Sequence, residues 1–193
     1  TLMAASWLAC RLPEGPLVRA AELAGDLWYR LAPERAAQAR RNLRRVCGSL
    51  DAAGRGSPAI RAAASDPRAL ERLVRSAFRH NARYYLEVAR TPSVTRESLD
   101  ARLDIDTPDL VAEAVVPGRA ALFVGLHFGS VELPVLFLAF RVGTTVTPMQ
   151  TVEDPGLQAW FERTRGVNGV KLVGLREARR TLQDALHNGI PVG

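Results

Sequence analysis

A histidine and a glutamate stand five residues apart, directly after an apolar run. His127 follows the run 120–126, and Glu132 comes after a short stretch that contains Gly129. On one regular helix their side chains would point roughly 140° apart and could not pair. If His127 ends a strand and Glu132 begins a helix, the carboxylate can bind one imidazole nitrogen and raise the basicity of the other. The pair is then the general-base half of an acyl-transfer site.

The neighbouring residues do not supply an enzyme nucleophile for this base. Ser130 lies in His-Phe-Gly-Ser-Val rather than in a Gly-x-Ser-x-Gly turn, and neither Cys10 nor Cys47 adjoins a histidine. We therefore expect the base to act on a hydroxyl of the substrate. The alternative is structural, a buried His–Glu pair that closes a strand–helix turn.

The second half of the chain alternates between two kinds of pattern. Short apolar or β-branched runs predict strands over 120–126, 144–147, 170–173 and from Ile190 onward. Helical spacing predicts helices over 133–141, 155–165 and 176–188. The first of the strands is apolar throughout, as expected of burial on both faces. This order predicts an α/β fold, a parallel-rich sheet flanked by helices in αβα layers.

The first half predicts a helical region that precedes the sheet. Three of its predicted helices begin near prolines and cover about 16–31, 33–47 with a stop at Gly48, and 66–90. Residues 51–64 predict a loop, which is the best internal boundary. A shorter helix follows Pro108 with Leu110 facing inward. Because the sequence opens on Thr1 and closes on an apolar run, we expect an incomplete domain.

Composition limits the function classes. Hydrophobic residues make up 47% of the 193 residues and charged residues 24%, which excludes a disordered tail, a fibre and a disulfide scaffold. No set of histidines, cysteines and carboxylates has metal-ligand spacing, so no metal is expected. The net charge is +6, and every basic residue except Lys171 is an arginine. Such a chain favours anionic partners.

A cluster of arginines on the second predicted helix indicates which kind of anionic partner the chain binds. Its members are Arg35, Arg40, Arg41, Arg44 and Arg45. Apolar segments at 1–8 and 17–28 lie just upstream, so the N-terminal helices are predicted to lie in an anionic membrane interface. Nucleic acid is not expected, because aromatic residues total 6% and are not interleaved with the arginines. A solvated arginine face remains the alternative.

The stretch from Ala121 to Pro134 resembles a known motif, the His-x4-Asp/Glu (HX4E) block of the bacterial lipid A biosynthesis acyltransferases. These lauroyl and myristoyl transferases belong to the lysophospholipid acyltransferase superfamily, and the related phosphatidylinositol mannoside acyltransferases share the block. Further segments agree with the family in order: 41–46, 76–87, 165–169 and 179–189. The resemblance covers nearly the whole chain.

The resemblance implies an enzyme of lipid biosynthesis that moves a fatty acyl group from a thioester to a hydroxyl of a glycolipid or phospholipid. His127 would be the general base and Glu132 would orient it, while Arg165, Gly129 and Ser130 would bind substrate. The donor, acyl-CoA or acyl carrier protein, is a substrate, so no cofactor is implied. The expected location is the cytoplasmic face of the bacterial plasma membrane, with peripheral or monotopic attachment.

Two other interpretations of the function stay open. A thioesterase-like hydrolase would use the same His–Glu pair on water. A non-catalytic basic domain would bind membrane or nucleic acid. With the acyltransferase interpretation, 1–65 is a helical, membrane-associating region, and 66–193 is the acyltransferase α/β core, truncated at its C-terminus.

Overall fold

The computed structural model describes residues 2–126 and 129–193, so the predicted base His127 lies outside the described residues. The chain forms two compact units. One is Pro13–Leu86, and the other contains the residues before and after it. The sequence predicted a membrane-associating region over 1–65 and an acyltransferase core over 66–193. The two compact units do not test these functional assignments, so the division stays a prediction.

Helices dominate the described part of the chain. They are α1 (Leu2–Ala9), α2 (Glu14–Leu31), α3 (Pro33–Ala52), α4 (Pro58–Ser65), α5 (Pro67–Arg90), α6 (Arg96–Asp100), α7 (Pro108–Ala114), α8 (Glu132–Val142), α9 (Pro155–Arg165) and α10 (Leu175–His187). A short 3-10 turn covers Thr91–Ser93. The two strands are β1 (Thr145–Met149) and β2 (Val170–Gly174).

Ion pairs and aromatic rings join the helices of the unit Pro13–Leu86. Asp26 on α2 is buried and accepts two hydrogen bonds of 2.7 Å from each of Arg75 and Arg79 on α5. Beside them, the rings of Trp28 and Phe78 meet edge to face. A buried carboxylate is tolerated only when it is paired, and here two guanidinium groups pair it.

The predicted end of the second helix was wrong. α3 continues through Gly48 to Ala52, because an internal glycine weakens a helix without ending it. Gly54 takes the role expected of Gly48: its φ is +65°, and the backbone NH of Arg55 closes back onto the carbonyl of Leu50. The predicted loop 51–64 was wrong in part, since Ser57 caps α4 there.

The sheet confirms the predicted α/β class. β1 and β2 are parallel, with Thr145 opposite Val170. Val192 forms parallel bridges to Val146 on one side and to Leu122 on the other. α10 packs against Val146, whereas α8 packs against Val170, so helices cover both faces of the sheet. The prediction of a parallel sheet flanked by helices therefore holds.

Two predictions of burial were wrong. The run 120–126 forms one bridge at Leu122 instead of a buried strand, and Leu122, Val124 and Leu126 are exposed. Among the described residues this run pairs with a neighbour on one edge only, through the backbone around Val192. Leu110, predicted to face inward, is exposed as well. Apolar composition alone did not reveal which sides of these segments are covered.

Within residues 2–126 and 129–193, no helix combines the length and the apolar character that crossing a bilayer requires.

Candidate active site

Glu132 is a buried carboxylate at the start of α8. Glu132 is 7% exposed and lies in the first turn of the helix, where the helix dipole favours negative charge. The helix behind it is almost wholly apolar and packs into the core next to the sheet. The burial of α8 therefore carries the carboxylate into the protein, where it needs a charged or donating partner.

Arg165, in the last turn of α9, supplies that partner. Its Nε lies 2.9 Å from Glu132 Oε1. The guanidinium carbon also lies 4.3 Å from the centre of the Phe161 ring, one helical turn earlier. A planar guanidinium can stack on an aromatic ring while its charge attracts a neighbouring carboxylate, and both contacts restrict its position.

The pair lies on the wall of a cavity of about 580 Å³. The wall is mostly apolar, and α8, β1, β2 and the segment around α7 contribute to it. Its apolar members include Leu103, Ile105, Val111, Val115, Phe123, Val135, Phe137, Leu138, Val170 and Leu172. Four of the polar lining residues are Ser130, Glu132, Thr147 and Arg165. Such a cavity suits a long apolar ligand with a polar end.

A second, more polar cavity adjoins the first. The two share Pro148, Met149 and Arg165 as lining residues. The second cavity is lined further by Gln150 and Glu153, among others. Arg165 therefore stands between an apolar space and a polar one.

The structure brings together three of the five site residues predicted from sequence. Glu132, Arg165 and Ser130 line the apolar cavity. Gly129 is exposed and has a φ of +69°, a conformation that favours glycine, so it shapes the turn before α8. The role of His127 lies outside the described residues and stays a prediction.

Sequence reasoning missed two residues of the site. Thr147 on β1 lines the cavity, and Phe161 holds Arg165 by stacking. The alternation of strand side chains could have indicated Thr147, because only every second residue of β1 faces the same side. Nothing in the sequence marks Phe161, which reads as an ordinary core residue of an amphipathic helix.

No group of three or more histidines, cysteines and carboxylates is placed to hold a metal ion in the part of the chain that the structure describes.

Comparison with known protein families shows which family this chain belongs to. The sequence model of one family, the bacterial lipid A biosynthesis acyltransferases, matches residues 2–193. The chain belongs to this family. No curated protein sequence matches it significantly. The predicted resemblance to this family is thereby confirmed over almost the full length of the chain.

Membership in the lipid A acyltransferase family gives the cavity a chemical context. Enzymes of an acyltransferase family handle an acyl donor and a lipid acceptor. A largely apolar cavity with a buried ion pair on its wall is compatible with a ligand that is hydrocarbon along most of its length.

Proposed function

We propose that this protein transfers a fatty acyl group from an acyl thioester to a hydroxyl of a glycolipid or phospholipid. The observation that carries the proposal is the buried Glu132–Arg165 pair on the wall of an apolar cavity in a chain of this family. Glu132 is the member of the pair that follows His127 by five residues. The cavity would hold the hydrocarbon chain, and the polar space that adjoins it at Arg165 would hold charged parts of the substrates.

In the proposed reaction His127 is the general base. It takes the proton of the acceptor hydroxyl while the hydroxyl oxygen forms a bond to the thioester carbonyl carbon. The carbon–sulfur bond then breaks, and the leaving sulfur takes the proton back from the imidazolium. Glu132 orients the imidazole and offsets its positive charge. A positioned base of this kind contributes typically about 10²–10⁴-fold to the rate.

We assign Arg165 the binding of a phosphate group on the acceptor or on the acyl carrier. Its planar fork suits phosphate, and its place between the two cavities supports this role. Ser130 lines the same cavity and would contact the substrate, and Gly129 would leave room for it. Acyl-CoA and acyl carrier protein are both suitable donors, because the proposed chemistry needs only a thioester.

We propose peripheral attachment to the cytoplasmic face of the bacterial plasma membrane. The unit Pro13–Leu86 carries fourteen arginines and seven acidic residues. Leu23, Leu27 and Leu31 form an exposed apolar stripe along α2. Basic residues and exposed apolar side chains on one small helical unit favour an anionic membrane surface.

One member of the predicted arginine cluster is engaged within the protein. Arg40 donates from Nε to Glu71 Oε2 at 2.6 Å and from Nη2 to Oε1 at 2.7 Å. The membrane proposal therefore rests on the exposed members of the cluster, which are Arg35, Arg41, Arg44 and Arg45.

The test compares products formed by the wild type with those formed by His127→Ala. Purified protein receives radiolabelled acyl-CoA or acyl carrier protein together with membrane glycolipid and phospholipid, and the labelled lipid and free fatty acid are both quantified. We expect transfer by the wild type and a loss of about 10²–10⁴-fold in His127→Ala. His80→Ala, which alters an exposed histidine on α5, is the matched control and should transfer normally.

Three outcomes would change the proposal. Normal transfer by His127→Ala would reject the mechanism. Free fatty acid as the only wild-type product would identify the hydrolase instead. If His127 and Glu132 act as one unit, the double variant His127→Ala with Glu132→Gln should be no slower than His127→Ala alone, and multiplied losses would contradict that coupling.

A further inference from the structure

Three arginines form an exposed stripe along α10. They are Arg176, Arg179 and Arg180, and all three are exposed. Because a helix has 3.6 residues per turn, they lie within about 100° of one another around the helix axis. Their face is opposite the one that buries Ala178 and Ala185 against the protein. We call these three arginines the basic stripe.

The basic stripe has no acidic partner in the part of the chain that the structure describes. The acidic residues of α10 are Glu177 and Asp184, and neither forms an ion pair with the stripe. Glu177 turns to the start of the helix instead, because its Oε2 would lie 2.8 Å from a Cβ placed on Gly174, the N-cap residue. The stripe therefore presents its charge to the solvent.

The positive charge of the stripe is local. The unit that contains α10 carries twelve basic and thirteen acidic residues, so its charges nearly balance. Several arginines of the other unit are paired with carboxylates, namely Arg40, Arg75, Arg79 and Arg83. An unpaired cluster of one sign in a balanced unit attracts a partner of the opposite sign to that place.

The stripe begins near the two cavities of the candidate site. Met149, at the end of β1, lines both cavities and pairs with Gly174 at the end of β2. Paired strands lie about 4.8 Å apart, and Arg176 follows Gly174 by two residues, which adds at most about 7 Å. The Cα atoms of Arg176 and Met149 are therefore within about 12 Å of each other. A partner on the stripe is close enough to bring a ligand to the cavities on a flexible arm.

The form of the stripe limits what it can bind. No stripe arginine lines either cavity, whereas small ligands bind in concave sites. Attachment of a helix to a membrane needs a row of exposed apolar side chains beside the basic ones. α2 exposes three leucines in such a row, but α10 exposes only Leu175, at its first residue. The stripe therefore suits the acidic surface of a protein.

We propose that the basic stripe is the docking surface for an acyl carrier protein, a small acidic protein that presents its acyl thioester on a flexible arm. This inference rests on the proposed function, in which an acyl thioester is the donor, and it assigns the carrier protein as the donor that this chain recognises. Complementary charges speed the encounter of two proteins and set their orientation.

The test measures binding of the carrier protein, because binding does not require transfer. Fluorescently labelled acyl carrier protein is titrated with the purified protein, and anisotropy gives the dissociation constant at two salt concentrations. We expect the wild type to bind, and to bind more weakly at the higher salt concentration. The double variant Arg176→Glu with Arg180→Glu should bind at least about 10-fold more weakly, because like charges then face each other.

A matched control separates the stripe from net charge. Arg44→Glu with Arg45→Glu makes the same change in charge at exposed residues of α3 and should bind the carrier protein as the wild type does. With vesicles of anionic phospholipid the two variants should exchange places, so that only the α3 variant binds more weakly. Arg176→Lys with Arg180→Lys keeps the charge and should keep most of the affinity for the carrier protein. Thermal melts confirm that each variant is folded.

The outcomes separate this inference from the proposed function. Equal losses of carrier binding in the two charge-reversed variants would reject the inference, because only net charge would then matter. A loss of vesicle binding alone in the α10 variant would assign the stripe to the membrane and reject it too. A wild type that transfers acyl groups from acyl-CoA but binds no carrier protein would reject the inference and leave the proposed function standing. A wild type that binds the carrier protein through the stripe yet transfers no acyl group would reject the proposed function alone.

Discussion

Arg165 Nε lies 2.9 Å from Glu132 Oε1, and this contact joins the last turn of α9 to the first turn of α8. The carboxylate side chain is 6% exposed and the guanidinium side chain 22%. The two opposite charges therefore stabilise each other in a largely buried place. Sequence reasoning gave the two residues separate tasks, orienting the base and binding phosphate, and the structure makes them neighbours. Any change to one of them acts on the other.

The first prediction concerns the stability of this pair. Arg165→Ala removes a cation that lies against the buried Glu132 carboxylate, so we expect a loss of about 2–3 kcal/mol in the free energy of unfolding, reduced from the fully buried case by the partial exposure of the arginine. Urea denaturation measures it. Arg163→Ala, which alters an exposed arginine in the same turn, should change stability by less than about 0.5 kcal/mol. Equal losses in the two variants would show that the pair does not stabilise the fold.

A second prediction concerns close packing in the unit Pro13–Leu86. A Cβ on Gly25 would lie 2.7 Å from Arg79 Cα and 2.8 Å from the carbonyl oxygen of Phe78, so Gly25→Ala must push α2 away from α5. We expect it to cost about 1–3 kcal/mol. Gly48→Ala is the control, because nothing lies within 4 Å of a Cβ there and the helix gains about 0.5–1 kcal/mol. Calorimetry should give shifts of opposite sign, and shifts of the same sign would contradict the argument.

A third prediction concerns acid stability. Hydrogen bonds from Arg75 and Arg79 hold the pKa of Asp26 well below its usual range, and the Arg40 guanidinium, helped by the Tyr29 hydroxyl, lowers the pKa of Glu71 from 4.5 to about 2. Because both carboxyl groups are more acidic in the folded protein, their ionised forms stabilise it at neutral pH. That stability is lost as the pH falls below about 4.5 and the groups become protonated.

Melting temperatures recorded between pH 7 and pH 3 would test this prediction. We expect the melting temperature of the wild type to fall through the acid range, and to fall less steeply in Glu71→Gln, which has no proton to gain at that position. Glu34→Gln removes an exposed carboxylate on α3 and should keep the wild-type slope. The same slope in Glu71→Gln and the wild type would mean that Glu71 does not contribute to acid sensitivity.

A fourth prediction concerns the membrane. Replacing Leu23, Leu27 and Leu31 by serine removes the exposed apolar stripe of α2, so we expect at least about 10-fold weaker binding to vesicles that contain anionic phospholipid. Binding of the wild type should weaken with rising salt concentration, because the arginines contribute by charge. Flotation of vesicles with bound protein measures both effects. Leu110→Ser, an exposed leucine on α7, is the control, and a comparable loss in that variant would show that the effect is not specific to α2.

Periodicity found most of the elements, because the burial of one helix face or one sheet leaves a regular pattern in the sequence. α9 begins and ends where the sequence predicted, and β1 and β2 differ from their predicted bounds by one or two residues. The pattern failed where burial depends on a distant partner. The run 120–126 has the composition of a buried strand, yet Val124 and Leu126 are exposed.

The sequence by itself determined the family, the α/β class and the chemical types at the candidate site. These follow from local spacing and from the HX4E block, which are properties of neighbouring residues. Only the tertiary structure decided that Glu132 contacts Arg165, that Arg40 is engaged by Glu71, and that Thr147 lines the cavity. Each of these facts joins residues from separate helices and strands. Their distances depend on how whole helices and strands pack, which no local pattern of side chains specifies.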